Sequence, residues 1–308
     1  MAISIQDARL KDIVSRIPVF ENLQSITPLG GGLTNMNYKV NTLKGIYVLR
    51  ISDSTSSLLG INRENERVNT AKAHEAGVGA ALIDSLPKEN ALVIDWIEAK
   101  TLHAEDIKSS PVLLTRIAAA LLQLHSAPLF QGNFYFSNIR KKYLDTVLNN
   151  HYFLPAEYLY YESLILDLEA ALSINPEPLV SCNNDLLAEN FMDDGKKIWI
   201  IDYEYAGLNE ASFDIGNLAS ETGLNNEQLE LLCDAYWQKH LPGKIARARA
   251  WSMIARFGWT LWASIQEAVS PIDFDFRTWG MKKWNSLLPE LNGNHYNLVL
   301  ENLKNYKA

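Results

Sequence analysis

The segment from Ser181 to Asp202 constrains the fold more than any other part of this chain. It reads Ser181-Cys182-Asn183-Asn184-Asp185-Leu186-Leu187-Ala188-Glu189-Asn190-Phe191-Met192, then Asp193-Asp194-Gly195-Lys196-Lys197-Ile198-Trp199-Ile200-Ile201-Asp202. Asp193-Asp194-Gly195 is a strong turn signal between two short apolar runs, so a β-hairpin is expected. The ends of a hairpin lie side by side. Asn190, just before the first strand, is therefore brought next to Asp202, just after the second, while Asp185 sits on the loop leading in.

An Asp and an Asn on Mg2+, with another Asp oriented to an attacking hydroxyl, is the arrangement that phosphoryl transfer needs. The D-x-x-x-x-N spacing from Asp185 to Asn190 matches the catalytic loop of kinases. Alone, that spacing occurs by chance in many chains, and a lone Asp after a strand is usually a cap or turn residue. The hairpin linking the three residues makes the joint case.

The rest of the chain organises around this segment. With 308 residues it is long enough for two lobes, each with its own core. The first hundred residues read as strands with a helix among them. Leu29-Gly30-Gly31-Gly32-Leu33 is a flexible turn, followed by alternation at Met36, Tyr38 and Val40 and by the apolar run Ile46-Tyr47-Val48-Leu49-Arg50-Ile51, with Asn41 to Gly45 as the hairpin turn between them. A helix is expected from about Ile61 to Ala76, ending at Gly77. Ala91-Leu92-Val93-Ile94-Asp95-Trp96-Ile97 reads as a further strand. Beyond it the pattern turns helical: Pro111 follows a capping serine, and Leu113, Ile117, Leu121 and Leu124 share one helical face. The expected architecture is α+β, with a β-rich N-terminal nucleotide-binding lobe over residues 1–99 and a mainly helical catalytic and substrate-binding lobe over residues 100–308.

Composition narrows the function classes. A net charge of −8 argues against a nucleic-acid partner, whose phosphates want a basic surface. Two cysteines, Cys182 and Cys233, are too few for a disulfide framework. The longest apolar candidate, Val112 to Leu124, is interrupted by Arg116 and falls short of a membrane span. The N-terminus meets charge too early for the apolar core of a signal peptide. A cytoplasmic location is expected.

Glycines at Gly30, Gly31 and Gly32 let a backbone approach phosphate closely and aim N–H groups at it, although most glycine runs are simply loops. Arg50 reads either as a cation for those phosphates or as a solvent-facing strand residue. Five of the eight tryptophans, Trp251, Trp259, Trp262, Trp279 and Trp284, fall near the C-terminus. Trp259 and Trp262 share a face of an expected helix from Ala250 to Ala268, joined one turn later by Gln266. Core packing explains most aromatic stripes, but aromatic faces also attract a quaternary ammonium.

Asn183-Asn184-Asp185 through Asn190, then Ile201-Asp202-Tyr203-Glu204-Tyr205-Ala206, then Phe213-Asp214-Ile215-Gly216-Asn217, resembles the choline/ethanolamine kinase family, which belongs with the aminoglycoside phosphotransferases in the protein-kinase-like fold. The compactness of the chain and the short loop after Glu221 look more like the family's bacterial branch. The resemblance implies a two-lobe kinase fold and an ATP-dependent enzyme that phosphorylates the hydroxyl of choline. It implies Asp185 as the catalytic base and Asn190 and Asp202 as Mg2+ ligands. The nucleotide would take Gly31, Gly32, Leu33, Thr34, Asn35 and Arg50, with Glu66 pairing Arg50 and Glu64 as its rival. Choline would take Glu221, Trp259, Trp262, Gln266 and Trp279, and Leu124-His125-Ser126 would be a structural motif. The family usually carries His where this chain has Asn183. The alternatives are a kinase of the same fold acting on ethanolamine, thiamine or an aminoglycoside, and a nucleotide-binding protein without turnover. The oligomeric state is not readable.

Overall fold

The computed structural model describes residues 7–52 and 58–306. Residues 1–6, where the sequence argues against a signal peptide, lie outside them. Strands β1 (Leu23–Leu29), β2 (Asn35–Thr42), β3 (Ile46–Ser52), β4 (Leu82–Leu86) and β5 (Ala91–Asp95) form an antiparallel sheet in the order β1-β2-β3-β5-β4. Side chains alternate along a strand. On β3, Tyr47, Leu49 and Ile51 therefore enter the N-terminal core with Val40 and Val93, while Val48 and Arg50 take the opposite face. Helix α1 (Ala8–Ser15), which the sequence reading did not anticipate, covers that core with Leu10, Ile13 and Val14.

Helix α2 (Arg63–Glu75) begins where the Asn62 side chain accepts from the N–H groups of Glu64 and Asn65. Its buried face is mostly polar, carrying Glu66, Asn69, Thr70 and Ala73, because that face meets hydrogen-bonding partners as well as a core. Asn69 Nδ2 donates to the carbonyls of Gln131 and Ala206 at 3.0 and 2.9 Å, and its Oδ1 accepts from Gln131 N at 2.7 Å. These three bonds tie α2 to the helical part of the chain.

After β5 the chain changes sheets. Strand β6 (Lys100–Thr101) pairs with β8 (Phe191–Asp193), which pairs with β9 (Ile198–Ile200), while β7 (Leu179–Cys182) pairs with β10 (Gly207–Glu210). Helices α3 (Ala104–Lys108), α4 (Pro111–His125), α5 (Phe136–Asn149) and α6 (Tyr158–Ile174) precede these strands, apart from β6. Helices α7 (Ala211–Thr222), α8 (Asn226–Trp237), α9 (Pro242–Val269), α10 (Phe276–Leu291) and α11 (Asn294–Asn305) follow. The fold is two-lobed α+β, a sheet-rich part followed by a helical part.

Helix α9 organises the helical lobe. It is buried on nearly every face from Ile245 to Gln266, as expected of a helix at the centre of a core. It begins at Pro242, well before Ala250, because a proline suits the first helical turn and because Arg247 inside it is paired with Glu177 and Glu210. Gly258 lies directly against α5. A Cβ there would lie 2.6 Å from the Phe136 ring, which is itself buried and packs 4.9 Å from the Trp259 ring. No helix among the described residues is long and apolar enough to cross a membrane.

Replacing Gly258 with Ala tests this contact. In an exposed helix the change gains about 1 kcal/mol, but overpacking a filled core costs about 1–3 kcal/mol. The urea midpoint of Gly258→Ala should therefore fall below that of the unsubstituted protein.

Candidate active site

The hairpin forms with Phe191 opposite Ile200, and Ile201 N donates to Asn190 O at 2.9 Å, so Asn190 and Asp202 end side by side. The loop before it is held from beneath by Asp214, a fully buried carboxylate in the first turn of α7. Asp214 accepts the backbone N–H groups of Asn183 and Asn184 at 2.9 and 2.8 Å. His125 Nε2, at the end of α4, lies 3.1 Å from it, and His125 Nδ1 meets the Tyr236 hydroxyl at 2.8 Å. The Leu124-His125-Ser126 and Phe213-to-Asn217 motifs are thus parts of one support.

His125, Cys182 and Asp214 come within 4.8 Å of one another, a spacing that suits a metal. Burial and the Asp214 charge push the Cys182 thiol well above its ordinary pKa, and the other two groups already have hydrogen-bond partners. Both His125 nitrogens and both Asp214 oxygens are engaged within the protein, so the cluster works as a hydrogen-bond network.

Asn183 joins the two halves of the site. Its Nδ2 donates to the carbonyls of Ile201 and Asp202 at 3.3 and 2.8 Å, and its Oδ1 accepts from Asp185 N at 3.1 Å. Asn190 Nδ2 donates to Asp185 O at 2.7 Å. With its amide nitrogen so engaged, Asn190 leaves its oxygen as the group available to a cation.

Asp202 has a left-handed backbone, φ 63°, and its carboxylate meets Arg50 at 2.6 Å. Arg50 also pairs with Glu66, whereas Glu64 pairs with Arg67 on the exposed side of α2. Burial works against the Arg50 charge, but Asp202, Glu66 and Glu204 outweigh it and raise its pKa. Burial likewise works against the Glu66 carboxylate, and Arg50 and Arg63 overcome it to hold the pKa low.

Glu204 is a functional residue that sequence reasoning quoted within a motif without assigning it a task. Its buried carboxylate accepts from Thr34 Oγ1 at 2.6 Å, Asn35 Nδ2 at 2.9 Å and Arg63 at 3.1 Å. It thereby fastens the end of the glycine loop to the helical lobe. Gly31 takes φ 93°, and a Cβ at Gly32 would lie 2.5 Å from the Asn35 carbonyl, so glycine is required at both positions. The amide of Gln266 donates to Leu33 O at 3.1 Å and, unlike the tryptophans, does not line the cleft.

Two cavities meet in this region. One, of about 460 Å3, lies between the glycine loop, Val48, Arg50 and Trp96. The other, of about 350 Å3, is lined by Asp185, Tyr205, Glu221, Trp259, Trp262 and Trp279 among others. Both are lined by Gly31, Gly32, Asn190 and Asp202. The tryptophans are held by hydrogen bonds as well as by packing: Trp259 Nε1 donates to Asn217 Oδ1 at 2.8 Å and Trp262 Nε1 to the Tyr205 hydroxyl at 3.0 Å. The rings of Trp262 and Trp279 lie 5.3 Å apart. Glu221 pairs with Lys283, a residue the sequence reading overlooked although it stands one helical turn after Trp279.

Burial pushes the Asp185 carboxyl well above the ordinary range, reinforced by Asp202, Glu204 and Glu221 and opposed by Lys283. Such a group can hold a proton on demand, which suits a general base. The same shift is a stability cost. A carboxylate disfavoured in the fold destabilises it above the unfolded pKa, and the cost vanishes once both states are protonated. In metal-free neutral buffer, Asp185→Asn should raise stability by roughly 1 kcal/mol or more, the worth of one pKa unit, and the gain should disappear below about pH 4. Denaturant melts at the two pH values check this.

The model describing the choline/ethanolamine kinase family matches residues 26–236. The probable ethanolamine kinase of Arabidopsis thaliana is 26% identical over 299 residues, covering 86% of this chain and 79% of that protein. Among solved structures, a choline/ethanolamine kinase family protein from Mesorhizobium loti superposes with a TM-score of 0.84 at 27% identity, covering 97% of this chain and all of that one. The choline kinase LicA of Streptococcus pneumoniae shares the fold, with a TM-score of 0.76 at 24% identity, covering 97% of this chain and 100% of that one.

Proposed function

Because the chain belongs to the choline/ethanolamine kinase family, we propose that it transfers the γ-phosphoryl group of ATP to the hydroxyl of choline, giving phosphocholine and ADP. The observation that carries this reading is the meeting of two cavities at Asn190 and Asp202, one under a glycine loop and one walled by tryptophans and a carboxylate, with Asp185 lining the second.

The nucleotide takes the first cavity, where Gly30, Gly31 and Gly32 form its roof and Arg50, held by Glu66, meets phosphate; Leu33 and Thr34 line the second cavity instead, and the buried Asn35 steadies the loop through Glu204. Asn190 and Asp202 offer the hard oxygen donors that Mg2+ prefers, and the Asn190 amide nitrogen is already committed elsewhere. When bound, that ion neutralises charge on the phosphates. Asp185 orients the alcohol and accepts its proton as the phosphoryl group moves across. Positioning and charge neutralisation supply most of the rate.

The aromatic wall favours choline among the amino alcohols. Trp259, Trp262 and Trp279 line the cavity, each ring worth about 0.5–2 kcal/mol to a desolvated quaternary ammonium, beside Glu221, which is itself paired with Lys283. The LicA protein with the same fold is named a choline kinase, which agrees with this choice. Gln266 acts on the glycine loop through Leu33. Asn183 supports a catalytic protein over a non-catalytic one, because its three hydrogen bonds brace the loop in place of the family's His.

ADP release measured with ATP and Mg2+ across choline, ethanolamine, thiamine and kanamycin should be fastest with choline. Turnover of none of them would remove the reading. Asp185→Ala should cut kcat by about 100-fold or more, the usual cost of losing a general base. Trp279→Leu should raise the choline KM by about 2- to 30-fold, the value of one cation–π contact, with the ATP KM nearly unchanged. An equal rise in both constants would mark Trp279 as packing alone.

A further inference from the structure

The cation end of the substrate cavity already has a cation behind it. Lys283 lies on α10, one turn beyond Trp279, and is 8% exposed. Its ammonium is hydrogen-bonded to Glu221 Oε2 and stands 3.9 Å from the centroid of the Trp279 ring. Glu221 and Trp279 line the cavity and Lys283 does not, so the ammonium reaches both from outside the space a substrate would fill. Among the described residues, the other Glu221 oxygen has only a distant hydrogen-bond companion, the Ser220 hydroxyl at 3.4 Å.

A buried carboxylate needs both opposite charge and N–H or O–H donors. A primary ammonium brings both. A quaternary ammonium brings charge alone, since it has no N–H, and packs methyl groups against whatever it meets. If Glu221 had to be satisfied by the substrate, a primary amine would be the better ligand. Lys283 removes that requirement, because it donates to Glu221 and neutralises it before any substrate arrives. The remaining recognition then falls to the ring faces, which reward a large, weakly hydrated cation. Burial lowers the Lys283 pKa, against the pull of Glu221 and Asp185, so the ammonium is kept there by its partners.

We propose that Lys283 is a specificity residue which acts through Glu221 and Trp279, allowing this end of the cavity to take a quaternary ammonium in preference to a primary one. The inference rests on the kinase reading above. A specificity role differs from a merely structural one in what it moves: the ratio of two substrates, and not the rate with both.

The test compares kcat/KM for choline and for ethanolamine in the unsubstituted protein and in Lys283→Met, which keeps the length and loses charge and donors. The unsubstituted protein should prefer choline. In Lys283→Met the choline-to-ethanolamine ratio should fall by about tenfold or more, the worth of a hydrogen bond to a charged group, while the ATP KM stays within about twofold. Lys283→Arg should keep the original ratio. The double variant Glu221→Gln with Lys283→Met should move back toward choline, because no carboxylate is left wanting a donor. Should Lys283→Met fail to fold, Lys283→Gln retains amide N–H donors without the charge and should show a smaller fall in the same direction. An unchanged ratio in the variant that folds, an equal loss with both substrates, or a preference for ethanolamine in the unsubstituted protein each overturns the inference. If the unsubstituted protein turns over neither substrate, the kinase reading fails and takes this one with it. If it turns over both and the ratio does not move, this inference alone fails.

Discussion

One buried carboxylate sets the geometry on which the site depends. Asp214 has no exposure to solvent and accepts two backbone N–H groups from the loop that carries Asp185. A charge in that position is costly unless its lone pairs are filled, so the loop cannot drift without orphaning it. The demand is mutual. The left-handed backbone of Asn184, φ 67°, turns the chain so that consecutive N–H groups face one acceptor, and the Asn184 side chain meanwhile bonds the carbonyl of Tyr205 at 3.0 Å. The support below the loop and the hairpin beyond it are therefore fixed by the same few residues.

Above that support, the site is crowded with like charge. Asp185, Asp202, Glu204, Glu66 and Glu221 are distributed among Arg50, Arg63 and Lys283, and each cation bridges or backs the carboxylates nearest to it. Asp185 has none of these cations as a direct ion-pair partner among the described residues, and burial, reinforced by the neighbouring carboxylates, raises its pKa. The arrangement leaves the acid that handles the proton the least neutralised of the group, while those that hold the loop or the metal position are paired.

The parts legible in the sequence were those that rest on short-range rules. The hairpin could be read because Asp193-Asp194-Gly195 signals a turn locally and apolar runs flank it. That Arg50 points away from the core side chains Tyr47, Leu49 and Ile51 follows from strand alternation, which left open whether that face met solvent or a cleft. What could not be read were pairings between distant segments. β7 and β10 are individually short and acquire strand character only from each other. His125 and Asp214 meet across 89 residues, and nothing local to either predicts it. The start of α9 was misjudged because Arg247 looks like a surface residue until its partners Glu177 and Glu210 are known. Lys283 was missed for a similar reason: a lysine in an amphipathic helix reads as solvent-facing, although its spacing from Trp279 was there to be counted.

The bonds made by Asn69 limit how the cleft can breathe. Pulling Asn69 away from Gln131 and Ala206 would leave the buried Asn69 amide without its partners. Helix α2 is therefore held to the helical half as well as to the sheet. Leu33, Thr34 and Asn35, where the glycine loop enters β2, are bonded to the same half through Gln266 and Glu204, so the chain on both sides of Arg50 is moored across the cleft.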